Sequence, residues 1–300
     1  EALVDAATRG KEVLVVIELR ARFEEEANIE LATKLQSVGA HVVYGVVGLK
    51  THAKMCLVLR REDQALKRYA HLGTGNYHIR TTRLYTDYGL FSCDEDICDD
   101  VQQVFQQLTA LGKASQLKKV IQAPFALHST TLELIEREIS IAEEGKDAAV
   151  WAKMNSLIEP QVIQALYRAS AAGVKVELII RGVCSLRPGI KEVSENIRVR
   201  SVIGRFLEHT RVFCFANDGN LAVFLSSADW MGRNFFSRVE TCFPVLDKKI
   251  RERVFDESIC VYLDDNSQAW ELQSDGRYVQ QKAKQNRIPA QDILLSRLAD

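Results

Sequence analysis

Apolar positions along this chain form runs and helical stripes whose order sets the architecture. The run at 12–18 is of parallel-strand type, and 41–44, 148–154 and 175–180 read as further strands. Between them lie helical patterns: 2–9 ends at Gly10, 24–36 ends near Gly39, and 99–111 is amphipathic. Thr130 and Glu133 have capping-box spacing for a helix that runs to Glu144 and stops at Gly145. Pro160 opens a helix closed by Gly173, 248–259 reads as another, and Pro289 starts a closing one over 290–299. Residues 56–59 and 69–72 read as partner strands, while 81–88 and 238–246 alternate in strand fashion. Residues 264–288 are polar and carry no period. The βαβ rhythm restarts at Val120 after a linker-like stretch at 112–119, which predicts α/β architecture in two domains, 1–118 and 119–300.

Composition narrows the class. Three hundred residues allow two ordinary cores, and 47% apolar with 26% charged residues is the balance of a soluble globular protein. With 39 basic against 40 acidic residues the net charge is −1, so nothing global draws the chain to nucleic acid or membrane. An anionic ligand needs a local cluster of arginine and lysine. Seven cysteines without a tight framework suit a reducing compartment. Cys56, Cys184, Cys214 and Cys242 sit in apolar runs and read as core, and Cys93 with Cys98 is too small a set for a metal. No apolar stretch reaches spanning length and no signal peptide is visible, which points to a cytoplasmic or peripheral protein. The opening at Glu1, in what reads as mid-helix, suggests a piece of a longer protein.

The chemistry gathers at two places. Leu49-Lys50-Thr51-His52-Ala53-Lys54-Met55 enters a strand with His52 and Lys54 two apart, hence on one side of it. The turn Gly73-Thr74-Gly75-Asn76 then brings Asn76 and backbone N–H groups towards an oxyanion. Glu208-His209-Thr210-Arg211 repeats the plan, followed by Ser226-Ser227-Ala228-Asp229. Two such histidines in corresponding halves predict one site at a pseudo-twofold interface. Imidazole attacks phosphorus well, a neighbouring cation neutralises the transferring group, and a second histidine handles the proton. A lone histidine at a strand entrance is ordinarily scaffolding, but repetition and the glycine-rich turn favour chemistry for His52. His209 draws its support from the analogy, and His41, His71, His78 and His128 read as structural. Arg20 and Arg22 after the first run, Lys153 and Asn155, and Arg181-Gly182 stand at strand ends that suit an anion.

The His-x-Lys and Gly-Thr-Gly-Asn pattern in two copies resembles the phospholipase D superfamily. More closely, Ala-His-Leu-Gly-Thr-Gly-Asn-Tyr, Thr-Arg-Leu-Tyr-Thr-Asp-Tyr, Arg-Gly-Val-Cys-Ser-Leu, Leu-Glu-His-Thr-Arg and Ser-Ser-Ala-Asp-Trp-Met resemble the C-terminal half of the bacterial polyphosphate kinases. The resemblance runs from residue 1 to at least Asp256 and is weakest over 264–300. It implies two phospholipase-D-like domains with mixed sheets flanked by helices, related by a pseudo-twofold. It also implies reversible transfer of the terminal phosphoryl of ATP to inorganic polyphosphate, with Mg²⁺ and a phosphohistidine. On that resemblance His52 is the phosphorylated residue and His209 the second histidine, an acid or nucleotide contact. Tyr85 and Arg181 fall on nucleotide-binding positions, and Arg22 on the Mg²⁺-phosphate region. A guanidinium is a poor metal ligand, so Arg22 is assigned to phosphate. Lys54, Asn76 and Asp87 join the set on their own chemistry. ATP, ADP and polyphosphate are the expected partners, with a homo-oligomer and peripheral membrane association in the full-length protein and no nucleic acid. The family's N-terminal domains and the strand before Glu1 are expected to be missing. Two other readings stand beside this one: a phospholipase-D-type phosphodiesterase or nuclease, which the His-x-Arg copy disfavours, and a non-catalytic polyphosphate-binding module.

Overall fold

The computed structural model describes residues 1–18, 25–46, 48–110, 116–283 and 285–299. Its largest feature is a ten-stranded mixed sheet built almost entirely from the second half. Ala149–Met154, Lys175–Ile180 and Ile197–Val202 run parallel at its centre, with helix Pro160–Ala171 as one crossover. An antiparallel meander of Val212–Phe215, Ala222–Ser226 and Arg238–Pro244 continues it. The central strands are buried on both faces, which explains their unbroken apolar runs. Phe213 and Phe215 face one core with helices Leu127–Glu143 and Pro160–Ala171, while Val212 and Cys214 face the other. Each such side chain contributes about 1.5–3 kcal/mol through burial.

The first half carries the same parts in separate sheets. Leu14–Val16 and His41–Val43 form a parallel pair joined through helix Glu25–Ser37. Lys54–Glu62, Ala65–Gly73 and Gly89–Ser92 form an antiparallel meander. Its hairpin turns on Asp63 and Gln64, both at positive φ, the geometry of a two-residue turn that follows strand twist. Ile97 and Val101 of helix Glu95–Ala110 pack on Ala70 and Leu72 of the meander. Asp100 of this helix accepts the backbone N–H groups of Lys118, Lys119 and Val120, tying the first half to the start of the second.

Several expectations need correction. Residues 81–88 are not one strand, since Thr81–Leu84 makes a helical turn before the two-residue strand Tyr85–Thr86. Thr130 lies inside helix Leu127–Glu143, whose N-cap is Ala126, so there is no capping box. The helix at 248–259 is Lys248–Phe255 followed by a π-turn, Asp256–Cys260. The polar region after 264 holds a hairpin of Ala269–Leu272 and Tyr278–Gln280, ordered by pairing with Ile197–Val202. Cys56 is exposed, whereas Cys214 and Cys242 are buried as expected and Cys184 is half-buried. Among the described residues no helix is long and apolar enough to cross a membrane.

Candidate active site

Two short parallel ladders cross between the halves, and each ends where a histidine begins. Lys50–Thr51 pairs with Arg238 and Val239, so His52 and Glu240 are the next residues on adjacent strands. Leu207–Glu208 pairs with Tyr85 and Thr86, so His209 and Asp87 are next there. In a parallel ladder successive residues advance together, and the first unpaired position of each strand meets its neighbour. Accordingly His52 Nδ1 lies 2.8 Å from Glu240 Oε2 and His209 Nδ1 lies 2.9 Å from both Asp87 carboxylate oxygens. Each half therefore supplies the histidine of one pair and the acid of the other.

The remaining contacts repeat this symmetry. Lys54 Nζ donates to the His52 carbonyl, and Arg211 Nη1 donates to the His209 carbonyl at 2.6 Å. Thr74 Oγ1 donates to Asp87 at 2.6 Å and Ser227 Oγ to Glu240 at 2.5 Å, with the acid 13 positions after the hydroxyl in each case. Asn234 Nδ2 adds a third donor to Glu240, at 2.6 Å. A carboxylate accepting from Nδ1 fixes the tautomer and turns the lone pair of Nε2 outward from the pair. Among the described residues neither Nε2 has a hydrogen-bond partner.

Electrostatics keep both rings neutral. Burial, helped by the Lys54 ammonium and opposed by Glu240, pushes His52 down to about 4. Burial also lowers His209, against the pull of Asp87. Lys54 is brought down to about 7, again chiefly by burial. Burial would raise Glu240, but its coupling to His52, the Lys54 charge and the hydrogen bonds from His52 and Ser227 outweigh it and hold the carboxyl below its ordinary value. Asp229 is lowered likewise, against its own burial, by Arg211 and the Asn155 donors.

Arg181 reaches the same cluster. Its Nε and Nη2 donate to Asn155 Oδ1 at 3.1 and 2.6 Å, and Asn155 in turn donates through its backbone N–H to Asp229, which holds Arg211. The Tyr85 ring lies 5.1 Å from the His209 ring. Lys54 feels the charges of Asp87 and Arg211, His52 that of Arg211 and His209 that of Lys54, so His52, Lys54, Asp87, His209, Tyr85 and Arg181 share one electrostatic neighbourhood. Asn76 stands apart, exposed and with no side-chain hydrogen bond among the described residues. Arg20 and Arg22 lie outside the described residues. His52 follows the short strand Lys50–Thr51 and Lys54 opens the next one, Lys54–Glu62, so the two are separated by a break between strands. Glu240 was missed by sequence reasoning, although the 13-residue interval shared with Asp87 is a signal for it.

No group of three or more histidine, cysteine or carboxylate side chains fit to hold a metal occurs among the described residues. The four acids of the site are each engaged by a histidine, arginine or lysine. Among the described residues these side chains do not form a cage for Mg²⁺.

Residues 120–291 match the family model for polyphosphate kinase C-terminal domain 2, and residues 1–114 match that for C-terminal domain 1. The chain belongs to the polyphosphate kinase family. Its match extends past Asp256 to residue 291, further than the motifs alone suggest. It is 57% identical over 302 residues to polyphosphate kinase of Pseudomonas syringae pv. tomato, covering all of this chain and 41% of that relative. Against the Neisseria meningitidis serogroup B enzyme it is 58% identical over 278 residues, covering 93% of this chain and 41% of the relative. The chain thus spans about two fifths of the length of these curated relatives. Polyphosphate kinase from Porphyromonas gingivalis superposes with a TM-score of 0.91 at 37% identity, over 99% of this chain and 46% of that one. Phosphatidylserine synthase of Haemophilus influenzae shares the fold alone, with a TM-score of 0.59 at 10% identity over 99% of this chain and 83% of that one. The two-part α/β architecture read from the phospholipase-D-like repeats is the one found.

Proposed function

We propose that this chain is the phosphotransfer region of a polyphosphate kinase, moving the terminal phosphoryl group of ATP reversibly onto inorganic polyphosphate through His52. The observation that carries this reading is the crossed pairing of two carboxylate-held histidines beside the buried basic side chains Lys54 and Arg211.

In the first half-reaction the His52 Nε2 lone pair forms a bond to the γ-phosphorus, and the bond from phosphorus to the bridging oxygen breaks with its electron pair leaving on ADP. Positive charge that develops on the imidazole is shared with Glu240 through Nδ1–H. Lys54, Arg211 and Arg181 balance the phosphoryl oxygens, and an arriving phosphate returns Lys54 to its charged form. In the second half-reaction a terminal polyphosphate oxygen attacks the phosphoryl group, and His52 leaves neutral. His209 Nε2 accepts a proton from the attacking phosphate and, in reverse, returns it to the leaving oxygen. Tyr85 stands beside that histidine to face the nucleotide. Mg²⁺ enters as the substrate complex, held by the phosphates, since the described residues supply no carboxylate cage for it.

The domains divide near 118, the compartment is the reducing cytoplasm in keeping with seven free cysteines, and the working assembly is a homo-oligomer of the longer protein.

Intact mass of the full-length protein after incubation with Mg·ATP, and separately with polyphosphate, tests the reading. One phosphoryl increment, acid-labile and alkali-stable, is expected and is absent in His52→Ala. A full increment persisting in that variant overturns it.

A further inference from the structure

The closing helix Ala290–Leu298 brings the end of the chain back to the interface between the halves. Gln291, in its first turn, is buried and uses its whole amide. Its Oε1 accepts from the Phe206 N–H at 2.8 Å, while Nε2 donates to the Phe206 carbonyl at 2.9 Å and to Glu208 Oε1 at 2.5 Å. Gly204 makes room for this, because a Cβ there would collide with Gln291 Oε1. Displacing that oxygen would break the hydrogen bond to Phe206. Asp265 anchors the helix start by accepting the Ala290 N–H at 2.8 Å, and its other oxygen takes the N–H groups of Ser267, Gln268 and Ala269.

Glu208 is where the tail meets the site. Besides Gln291 it accepts from Tyr262 Oη at 2.9 Å, Lys153 Nζ at 2.7 Å and Thr86 Oγ1 at 3.0 Å. With Gln291 these donors come from four separated segments, and Tyr262 lies two residues past the end of the π-turn Asp256–Cys260. A buried carboxylate with all its acceptor positions engaged holds its neighbours rigidly, because each broken bond leaves an unsatisfied group. Glu208 immediately precedes His209, and its partner Thr86 immediately precedes Asp87. The ladder under His52 is held differently, with the Thr51 N–H donating to Glu18 Oε2 at 2.8 Å. There Thr51 faces Val239, and Thr51 Oγ1 is buried without a hydrogen-bond partner.

We propose that Gln291 is a positioning residue for His209: by clamping Phe206 and Glu208 it sets how the 207–208 ladder presents the imidazole to Asp87, and it does not act on His52. The proposal takes from the preceding section only that His209 is a working group.

The test uses full-length protein carrying ring-¹⁵N histidine, without substrate. An Nδ1 proton held by a carboxylate resonates far downfield, and His52→Gln and His209→Gln assign the two signals. Gln291→Glu keeps the shape and the acceptor for the Phe206 N–H but sets a carboxylate oxygen against Glu208. The expected result is a His209 signal that exchanges with solvent at least tenfold faster while the His52 signal is unchanged. Removing a supporting partner of this kind costs roughly 10–100-fold in activity, and we expect it in kcat rather than in KM for ATP. Gly204→Ala, which pushes the amide from the opposite side, gives the same split. Both signals unchanged in Gln291→Glu overturns the proposal, and so does their joint loss in both variants, which would make Gln291 a general stabiliser. Because the spectra need no phosphoenzyme, a failed mass experiment beside a split pair of signals would discard the kinase reading and leave the positioning role standing.

Discussion

Glu240→Gln isolates what the buried charge does for His52. The Glu240 side chain is fully buried and takes hydrogen bonds from His52 Nδ1, Ser227 Oγ and Asn234 Nδ2. Glutamine keeps the volume and one acceptor. Asn234 Oδ1 is buried without a partner, so a flip of that amide lets it accept from the new NH₂ group and leaves the glutamine carbonyl for His52 and Ser227. The tautomer then survives, and the loss is confined to charge. At a separation of ~4 Å and an effective dielectric of about 20, one carboxylate charge acting on the developing imidazolium is worth about 4 kcal/mol. Converted at 1.36 kcal/mol per decade, that is an upper bound of about 10³ on the rate of phosphoenzyme formation. Rapid-quench measurement with γ-labelled ATP in full-length protein should show a fall of 10²–10³-fold on this reasoning, with little change in nucleotide affinity. A fall of less than threefold would refute the charge argument. A fall beyond 10⁴ would mean that the tautomer is lost as well.

Two further outcomes follow from the same structure. His52 is held near 4 in the folded protein against 6.5 unfolded, so between those values the unfolded chain binds the proton and the folded one does not. The His52 contribution to stability is full above pH 6.5 and declines by about 3 kcal/mol as the pH falls towards 4, and chemical denaturation of His52→Gln across that window should give a shallower dependence of stability on pH than the parent. Asp100→Ala removes the acceptor of three backbone N–H groups at the junction of the halves, and its denaturation midpoint should fall by the equivalent of about 2–4 kcal/mol. A loss under about 0.5 kcal/mol would show those donors to be satisfied otherwise.

The parts of the fold and site visible in the sequence were those with local periodicity. Apolar runs buried on both faces mark the central strands, and the two His-x-cation motifs mark the entries to Lys54–Glu62 and Val212–Phe215. Asp87 was reached because it follows Tyr85 in a conspicuous polar segment. Glu240 lies in an alternating strand where an acid reads as solvated, and only the interval from Ser227, matched to that from Thr74, distinguishes it. Glu208 and Gln291 offered less, since their partners come from segments distant in sequence and no local pattern encodes the meeting. Cys56 was misread because the meander buries only the side facing helix Glu95–Ala110, so a strand-like run can leave one face open. The helical turn at Thr81–Leu84 and the π-turn at Asp256–Cys260 likewise carry no signature in residue type.

The two crossed pairs are alike in geometry and unlike in surroundings, and the difference bears on their division of labour. Glu240 has no exposed side-chain surface, while 22% of the Asp87 side chain is open to water. A charge in the drier setting is less screened and more effective against a cation formed beside it. On the proposed mechanism Glu240 is therefore the better partner for the imidazole that carries positive charge while bonded to phosphorus. Exposure of Asp87 to water weakens its hold on His209, which suits the proton-exchanging role proposed for that ring. That looser pair is also the one whose ladder is braced by Glu208 and the closing helix, so rigidity is supplied by hydrogen bonds where it is not supplied by burial of the acid. Exchanging the acids, with Glu240→Asp and Asp87→Glu together, leaves the charges in place but alters both reaches by one methylene. On this reasoning phosphoenzyme formation suffers most, because the drier pair has the least room to adjust.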